Sequence, residues 1–113
     1  MTWATAKQPM SRLSERSKSV ADWLVKSGQV GGIEDEILAR RSAGIEKYGI
    51  ELTTHNGRRP LLDAYQEVLD LIVYLAQADM EQGRRYPHNR TMTCIWLARE
   101  LRRNLEDADD GTE

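Results

Sequence analysis

Residues 61–78 read LLDAYQEVLDLIVYLAQA, and this stretch decides the fold. Its apolar residues cover more than half of a helical circumference, which predicts a long helix with a wide buried face. Four residues follow one another at i, i+4, i+7 and i+11 and therefore share the narrow polar strip that remains: Asp63, Glu67, Asp70 and Tyr74. The stretch contains no Lys or Arg, so it supplies no partner for these carboxylates. We therefore expect a bound cation, and a hard ion with oxygen ligands is the natural candidate.

The composition is typical of an ordinary soluble domain. Of the 113 residues, 40% are hydrophobic and 30% are charged, and the net charge is −2. One domain over residues 1–113 suits this length, and chains of this size often oligomerise. The charge lacks the basic excess of a dedicated nucleic-acid binder, so we expect no stable nucleic-acid partner. No apolar run can span a membrane, and the single cysteine, Cys94, excludes an intrachain disulfide framework, which favours a cytoplasmic location.

Hydrophobic periodicity predicts three further helices. Helix one is expected over about residues 11–26, helix two over 33–47, helix three over 61–82 and helix four over 91–105. Glycine-containing breaks separate them, and no segment alternates as a strand does. The expected fold is therefore an all-α, four-helix bundle with flexible ends at residues 1–10 and 107–113, although Trp3 could dock on a partner or on the body of the protein. The apolar arc of helix three is wider than three neighbours in a small monomer easily cover, which favours completion of the bundle by oligomerisation.

Individual apolar positions sharpen these expectations. Cys94 lies in the apolar pattern of helix four and is expected in the core, and Tyr65 is expected there too. Gly44 lies within the apolar arc of helix two, where it permits close backbone approach to a neighbour. Other residues are expected to face inward from helices one and four: Leu13, Val20, Trp23, Leu24, Met92, Ile95, Trp96, Leu101 and Leu105.

The first turn of helix two supplies a second acidic group, Glu34-Asp35-Glu36. On a helical wheel Glu34 lies on the apolar arc, where a carboxylate is costly unless it is paired or bound to metal. Arg41, seven residues further on, is its alternative partner. Glu36 lies on a separate strip with Arg40 and Lys47. First-turn acids also favour the helix dipole with no functional role, so that interpretation stays open.

Together these features resemble a known family. The resemblance rests on helix two followed by Lys47-Tyr48-Gly49, then Asn56-Gly57-Arg58, then the Glu67-x-x-Asp70 element within helix three. They resemble the MazG-type all-α nucleoside triphosphate pyrophosphohydrolases, and especially the compact phage and bacterial members that act on dATP or dGTP. The resemblance covers about residues 33–82.

The resemblance implies a magnesium site and a reaction. Mg²⁺, which Mn²⁺ can replace, would be held by Glu67 and Asp70 and by a carboxylate of helix two. That helix shows no complete Glu-x-x-Glu, so both Glu34 and Glu36 stay candidates. The implied reaction converts a nucleoside triphosphate, with a purine such as dGTP or dATP expected, to the monophosphate and pyrophosphate.

The resemblance also implies roles for further side chains. Glu36 or Glu34 would accept a proton from the attacking water. Lys47, also a candidate catalytic residue, and Arg58 would contact phosphate oxygens, with Arg40 or Arg84 behind them. Asn56 would bind a base edge or cap a turn, and Tyr74 would contact the substrate or pack with a satisfied hydroxyl. The family analogy further suggests a homo-oligomer, either a dimer or a dimer of dimers.

A second class of function is a non-enzymatic helical binding or regulatory module. Arginines beyond helix three would form its basic surface: Arg84, Arg85, Arg90, Arg99, Arg102 and Arg103. The simpler account of these arginines is a solvated face beside the acidic tail. The acidic strip distinguishes the two classes, because a binding module has no need of metal.

Overall fold

A computed structural model describes residues 3–8 and 14–110 of the chain. The described residues form four α-helices and no strand, which confirms the predicted all-α class. The helices are α1 (Val20–Lys26), α2 (Glu34–Tyr48), α3 (Pro60–Glu81) and α4 (Asn89–Asp110). In the described ranges no helix is both long enough and apolar enough to cross a membrane.

The chain divides into two compact units. One comprises residues 1–8 and 59–113 and is called the hairpin unit, because α3 and α4 pack against each other within it. The other comprises residues 9–58 and is called the α1–α2 unit after its two helices.

Helices α2 and α3 begin and end within a residue of their predicted bounds, because their boundaries carry local signals. Gly49 ends α2 in the left-handed region (φ 82°), and its N–H bonds to the carbonyl of Ile45 at 2.7 Å. Pro60 occupies the first turn of α3, where its missing N–H costs nothing. Gly83, with φ 76°, turns the chain after α3.

Helix α1 is much shorter than predicted, because it begins only at Val20. Ser19 caps it by accepting a hydrogen bond from the N–H of Asp22. Residues 14–17 form a turn, and Ser19 forms an antiparallel bridge with Thr53. Serines favour such caps and turns over helix interiors, so they override the apolar spacing. The predicted start of this helix at residues 11–13, including Leu13, lies outside the described residues.

The core of the hairpin unit lies between one face of α3 and one face of α4. Its buried residues are Ala6, Leu62, Tyr65, Ala98, Leu101 and Leu105. Trp3 packs against this core, which confirms the alternative in which it docks on the body of the protein. Gln66 Nε2 donates to the carbonyls of Trp3 at 2.9 Å and Ala6 at 2.6 Å. The remainder of the predicted flexible N-terminal arm, residues 1–2 and 9–10, lies outside the described part. Helix α4 continues to Asp110, past its predicted end.

Two tryptophans predicted to face inward are exposed instead. Trp23 on α1 is 71% exposed and Trp96 on α4 is 59% exposed. Periodicity assigns both rings to the inward side of a helix, but apolar spacing alone does not show whether a neighbour covers that side. Cys94 is half-buried, and Tyr65 is buried as predicted.

Asp79 fixes the turn between α3 and α4. Only 3% of this residue is exposed, and its Oδ2 accepts hydrogen bonds from the N–H of His88 at 3.0 Å and the hydroxyl of Thr91 at 2.7 Å. The guanidinium of Arg90 lies 3.9 Å from Oδ1. The carboxylate thus places a negative charge at the positive end of α4 while joining it to the end of α3.

Adjacent leucines of α3 provide a test of the core. Leu62 is buried and Leu61 is 46% exposed. We expect Leu62→Ala to lower the free energy of unfolding by about 2–5 kcal/mol, because it leaves a cavity between the two helices. Leu61→Ala should cost less than about 1 kcal/mol. Urea unfolding of both variants measures the difference, and equal losses would contradict this assignment of the buried face.

The hydrogen bonds that Asp79 accepts predict that the free energy of unfolding depends on pH. The hydrogen bond from the N–H of His88, followed by that from Thr91, holds the pKa of Asp79 below its ordinary value, although burial acts in the opposite direction. A carboxylate with a depressed pKa stabilises the fold above its unfolded pKa, and that contribution disappears as the pH falls through the folded pKa. Asp79→Asn should therefore have a lower free energy of unfolding than the parent at pH 7, and this difference should become smaller below about pH 4.

Unfolding of parent and Asp79→Asn between pH 7 and pH 2.5 measures this gap. Glu100→Gln is the matched control, because Glu100 is an exposed acid on α4. The control should follow the parent throughout. A gap for Asp79→Asn that stays constant with pH would show that the charge of this carboxylate contributes nothing.

Candidate functional site

The acidic strip of α3 lies away from the core of the hairpin unit. Glu67, Asp70 and Tyr74 are exposed, with Tyr74 at 70%. Asp63, at the start of the strip, is half-buried and accepts a hydrogen bond from Gln8 Nε2 at 3.0 Å. Within the hairpin unit, Tyr74 is therefore a solvent-facing ring, and the alternative in which it packs against the core is wrong.

The strip is not bounded by core on both sides, contrary to the expectation from periodicity. Exposed apolar side chains flank the carboxylates on α3: Leu71, Val73 and Met80. The reason is that the buried face of α3 packs on α4 and residues 3–8, and these cover only part of its apolar circumference. The face around Glu67 and Asp70 is therefore a mixed surface of carboxylates and apolar groups.

Glu67 and Asp70 have no basic partner among residues 3–8 and 14–110, since no Lys, Arg or His nitrogen lies within 4.0 Å of either carboxylate. They are three residues apart on one helix, so both side chains project from neighbouring turns of the same face. Such a pair can bind one divalent cation from two sides, or one carboxylate can bind while the other orients a water.

The acids of α2 belong to the α1–α2 unit. Glu34 is half-buried, and its Oε1 accepts a hydrogen bond from the N–H of Gly32 at 3.4 Å. Asp35 and Glu36 are exposed. This arrangement agrees with first-turn acids at a helix N-terminus, and it also leaves Glu36 accessible to a ligand.

The sequence allowed an ion pair between Arg41 and Glu34, but Arg41 pairs with other acids. Its Nη1 lies 2.6 Å from Asp22 of α1 and 3.9 Å from Glu51. Seven residues of α-helix separate Arg41 and Glu34 by about 10 Å along the axis, whereas α1 packs directly against α2. The guanidinium of Arg41 therefore pairs with Asp22 of α1 rather than with Glu34.

The predicted substrate-binding residues of the α1–α2 unit occupy different settings. Lys47 is exposed, and its Nζ lies 5.1 Å from the centre of the Tyr48 ring. Asn56 is buried, and its Oδ1 accepts the N–H of Arg58 at 3.0 Å, so the alternative in which Asn56 caps a turn is confirmed. Arg40 is exposed and lies at an apolar cavity.

That cavity was not predicted from the sequence. It lies within the α1–α2 unit and has a volume of about 400 Å³. Its walls are Val20, Ala21, Leu24, Ile37, Arg40, Arg41, Gly44, Tyr48, Ile50, Glu51 and Leu52. Gly44 was expected to allow a neighbour to approach closely, but a Cβ built there meets no described atom within 4 Å. The glycine opens the wall of a cavity instead.

The structural roles of two other residues, Asp79 and Glu51, were not predicted from the sequence. Asp79 was overlooked because its partners lie beyond the turn, so no local capping pattern marks it. Glu51 was overlooked because its role depends on pairing between segments: it accepts a hydrogen bond from the hydroxyl of Ser19 and lies beside Arg41. Neither residue has a spacing signal that could have revealed it.

The described residues contain no group of three or more His, Cys, Asp or Glu side chains placed to hold a metal ion. The predicted ligands instead fall into two sets, Glu67 with Asp70 in the hairpin unit and Glu34 with Glu36 in the α1–α2 unit. Glu67 and Asp70 fit the chemistry of magnesium, which takes only one or two protein carboxylates and keeps waters in its remaining positions. Glu34 and Glu36 are two residues apart on α2 and project from different sides of it, so each is a separate candidate rather than half of a pair.

Comparison with known proteins returned no match, whether against family models, curated proteins or solved structures. The resemblance to the MazG-type enzymes therefore rests on the residues quoted from 33–82 and stays a prediction. The functional interpretation depends on the chemistry of those side chains.

Proposed function

We propose that the protein is a Mg²⁺-dependent nucleoside triphosphate pyrophosphohydrolase with a purine substrate such as dGTP or dATP. The observation that carries the proposal is the pair Glu67 and Asp70, one turn apart on the exposed side of α3, with no basic partner in the described residues. Like charges at this spacing destabilise a helix unless a cation binds them. A divalent ion held this way keeps open positions for waters and phosphate oxygens.

The chain's own residues divide the work as follows. Glu67 and Asp70 would hold the metal, and the resemblance to the MazG-type enzymes implies one further carboxylate ligand, for which Glu34 and Glu36 are the candidates. Glu36, which is exposed on α2, accepts the proton of the attacking water. Lys47, Arg58 and Arg40 contact phosphate oxygens. Mg²⁺, when bound, supplies charge neutralisation on the phosphates and lowers the pKa of a coordinated water.

The bond changes are those of an in-line displacement. The oxygen of water forms a bond to the α-phosphorus, and the bond from the α-phosphorus to the bridging oxygen of the β-phosphate breaks. Pyrophosphate leaves and the nucleoside monophosphate remains. Such a reaction needs positioning and charge stabilisation far more than covalent help from protein.

Homo-oligomerisation, as a dimer or a dimer of dimers, belongs to the same proposal. Its support is the exposed apolar surface of α3, where Leu71, Val73 and Met80 flank the acidic strip. Large apolar side chains that are exposed on both sides of a polar strip favour an interface there, because a second copy of the chain would cover them.

The alternative is a helical binding or regulatory module, and one observation favours it. Trp96 is exposed on α4, with Arg99 and Arg103 at i+3 and i+7 on the same side. An exposed aromatic ring among arginines is a surface that can bind an acidic partner. Such a module would release no pyrophosphate and would need no metal.

Asp70→Asn tests the hydrolase directly. We expect it to reduce Mg²⁺-dependent pyrophosphate release by about 100-fold or more, because the metal loses a charged ligand. The helical content by circular dichroism should not fall, since Asp70 is exposed and its removal relieves repulsion with Glu67. The assay uses all common NTPs and dNTPs and measures pyrophosphate and phosphate separately.

Glu81→Gln is the matched control, because Glu81 is an exposed acid on the same helix, eleven residues beyond Asp70, and already accepts a hydrogen bond from Gln77. It should retain parental activity. Full activity in Asp70→Asn would remove Asp70 from the site. Release of no pyrophosphate by the parent with any nucleotide would favour the binding module.

Metal binding should also stabilise the fold. Adding millimolar Mg²⁺ or Mn²⁺ should raise the melting temperature of the metal-free protein, by an amount equivalent to about 2.7 kcal/mol when the metal is at 100 times its Kd. The double variant Glu67→Gln, Asp70→Asn should show no shift. Differential scanning calorimetry makes the measurement, and equal shifts in parent and double variant would place the metal elsewhere.

A further inference from the structure

The cavity of the α1–α2 unit has the dimensions and lining of a small-molecule site. Its volume of about 400 Å³ lies within the range of ligand pockets, which are mostly apolar with a few polar groups that fix orientation. Seven aliphatic side chains or small residues form its walls together with the ring of Tyr48: Val20, Ala21, Leu24, Ile37, Gly44, Ile50 and Leu52.

The charged groups at this cavity are unequal. Arg41 lies 2.6 Å from Asp22 and 3.9 Å from Glu51, so its charge is already compensated. Glu51 also accepts the hydroxyl of Ser19, which satisfies one of its oxygens. Arg40 has no carboxylate within 4.0 Å among residues 3–8 and 14–110. The cavity therefore offers one uncompensated cation beside an apolar interior.

This combination selects a ligand class. An apolar interior favours an apolar body, and an unpaired guanidinium favours one carboxylate, sulfonate or phosphate group. We propose that the cavity binds a small organic anion whose apolar body contacts Leu24, Ile37 and Leu52 and whose acidic group pairs with Arg40. A neutral molecule would leave Arg40 uncompensated.

Two fluorescent probes with the same rings test this class. 1-Anilinonaphthalene-8-sulfonate carries one sulfonate, and N-phenyl-1-naphthylamine carries no charge. The full chain, without added metal, should bind both probes with one site per chain. Arg40→Met should reduce the affinity for the sulfonate probe about tenfold, because it removes a charge-assisted contact. The affinity for the neutral probe should stay within about twofold of that of the parent.

Gly44→Leu is designed to fill the cavity. Its side chain extends into open space from the middle of α2, and leucine favours a helix more than glycine does. Both probes should lose at least about tenfold in affinity, since the apolar body no longer fits. Ala43→Leu is the matched control, because Ala43 is exposed on the same helix and does not line the cavity. It should bind both probes as the parent does.

Ala21→Leu enters the same cavity from α1 and serves as the second filling variant if Gly44→Leu fails to fold. Parental binding by a folded filling variant would overturn the proposal, as would equal losses of both probes in Arg40→Met. A change of molecular mass in the filling variant, measured by light scattering, would show that a second copy occupies the cavity and would also overturn it.

Competition distinguishes the sources of the anion. Displacement of the sulfonate probe by dGMP would identify a nucleotide as the natural occupant, and displacement by a fatty or aryl carboxylate alone would identify a metabolite acid. The outcome is separable from the proposed hydrolysis, because the titration contains no metal. Asp70→Asn, expected to lose pyrophosphate release, should bind both probes unchanged.

Discussion

The packing of α3 on α4 is the constraint on which the hairpin unit depends. The buried core lies on one face of α3, and Asp79 at its end fixes where α4 begins through His88 and Thr91. Once that face is committed to the core, the register of the helix places Glu67 and Asp70 on a different side. The acids therefore lie where a solute can reach them, and their position follows from the same packing that stabilises the fold.

Local signals made most of the fold predictable. The period of residues 61–78, the glycines at 49 and 83 and the proline at 60 determined where α2 and α3 begin and end. The prediction of helix one was wrong because Ser19 prefers to cap a helix and to bridge Thr53, and that bridge depends on a segment far along the chain. Trp23 and Trp96 were assigned to the core because periodicity measures apolar spacing and does not count the neighbours available to cover it.

The candidate sites also differ in whether local spacing alone predicts them. Glu67 and Asp70 could be found from the sequence because three residues of α-helix always bring two side chains to one face. The cavity could not be found, because its walls come from α1, α2 and the segment after α2, and because an absent side chain at Gly44 helps to open it. The assignment of Arg41 failed for a related reason: Asp22 became its partner through helix packing, which spacing within α2 does not encode.

The two proposals rest on charges of opposite sign. Glu67 and Asp70 are carboxylates without a basic partner in the described part of the chain, and they favour a cation. Arg40 is a guanidinium without an acidic partner there, and it favours an anion. A magnesium complex of a nucleotide carries both a cation and an anion, whereas a metabolite acid carries only the second. The filled-cavity variant separates these cases: if Gly44→Leu lost pyrophosphate release together with probe binding, the cavity would hold part of the substrate, and if it lost probe binding alone, the cavity would serve a second ligand.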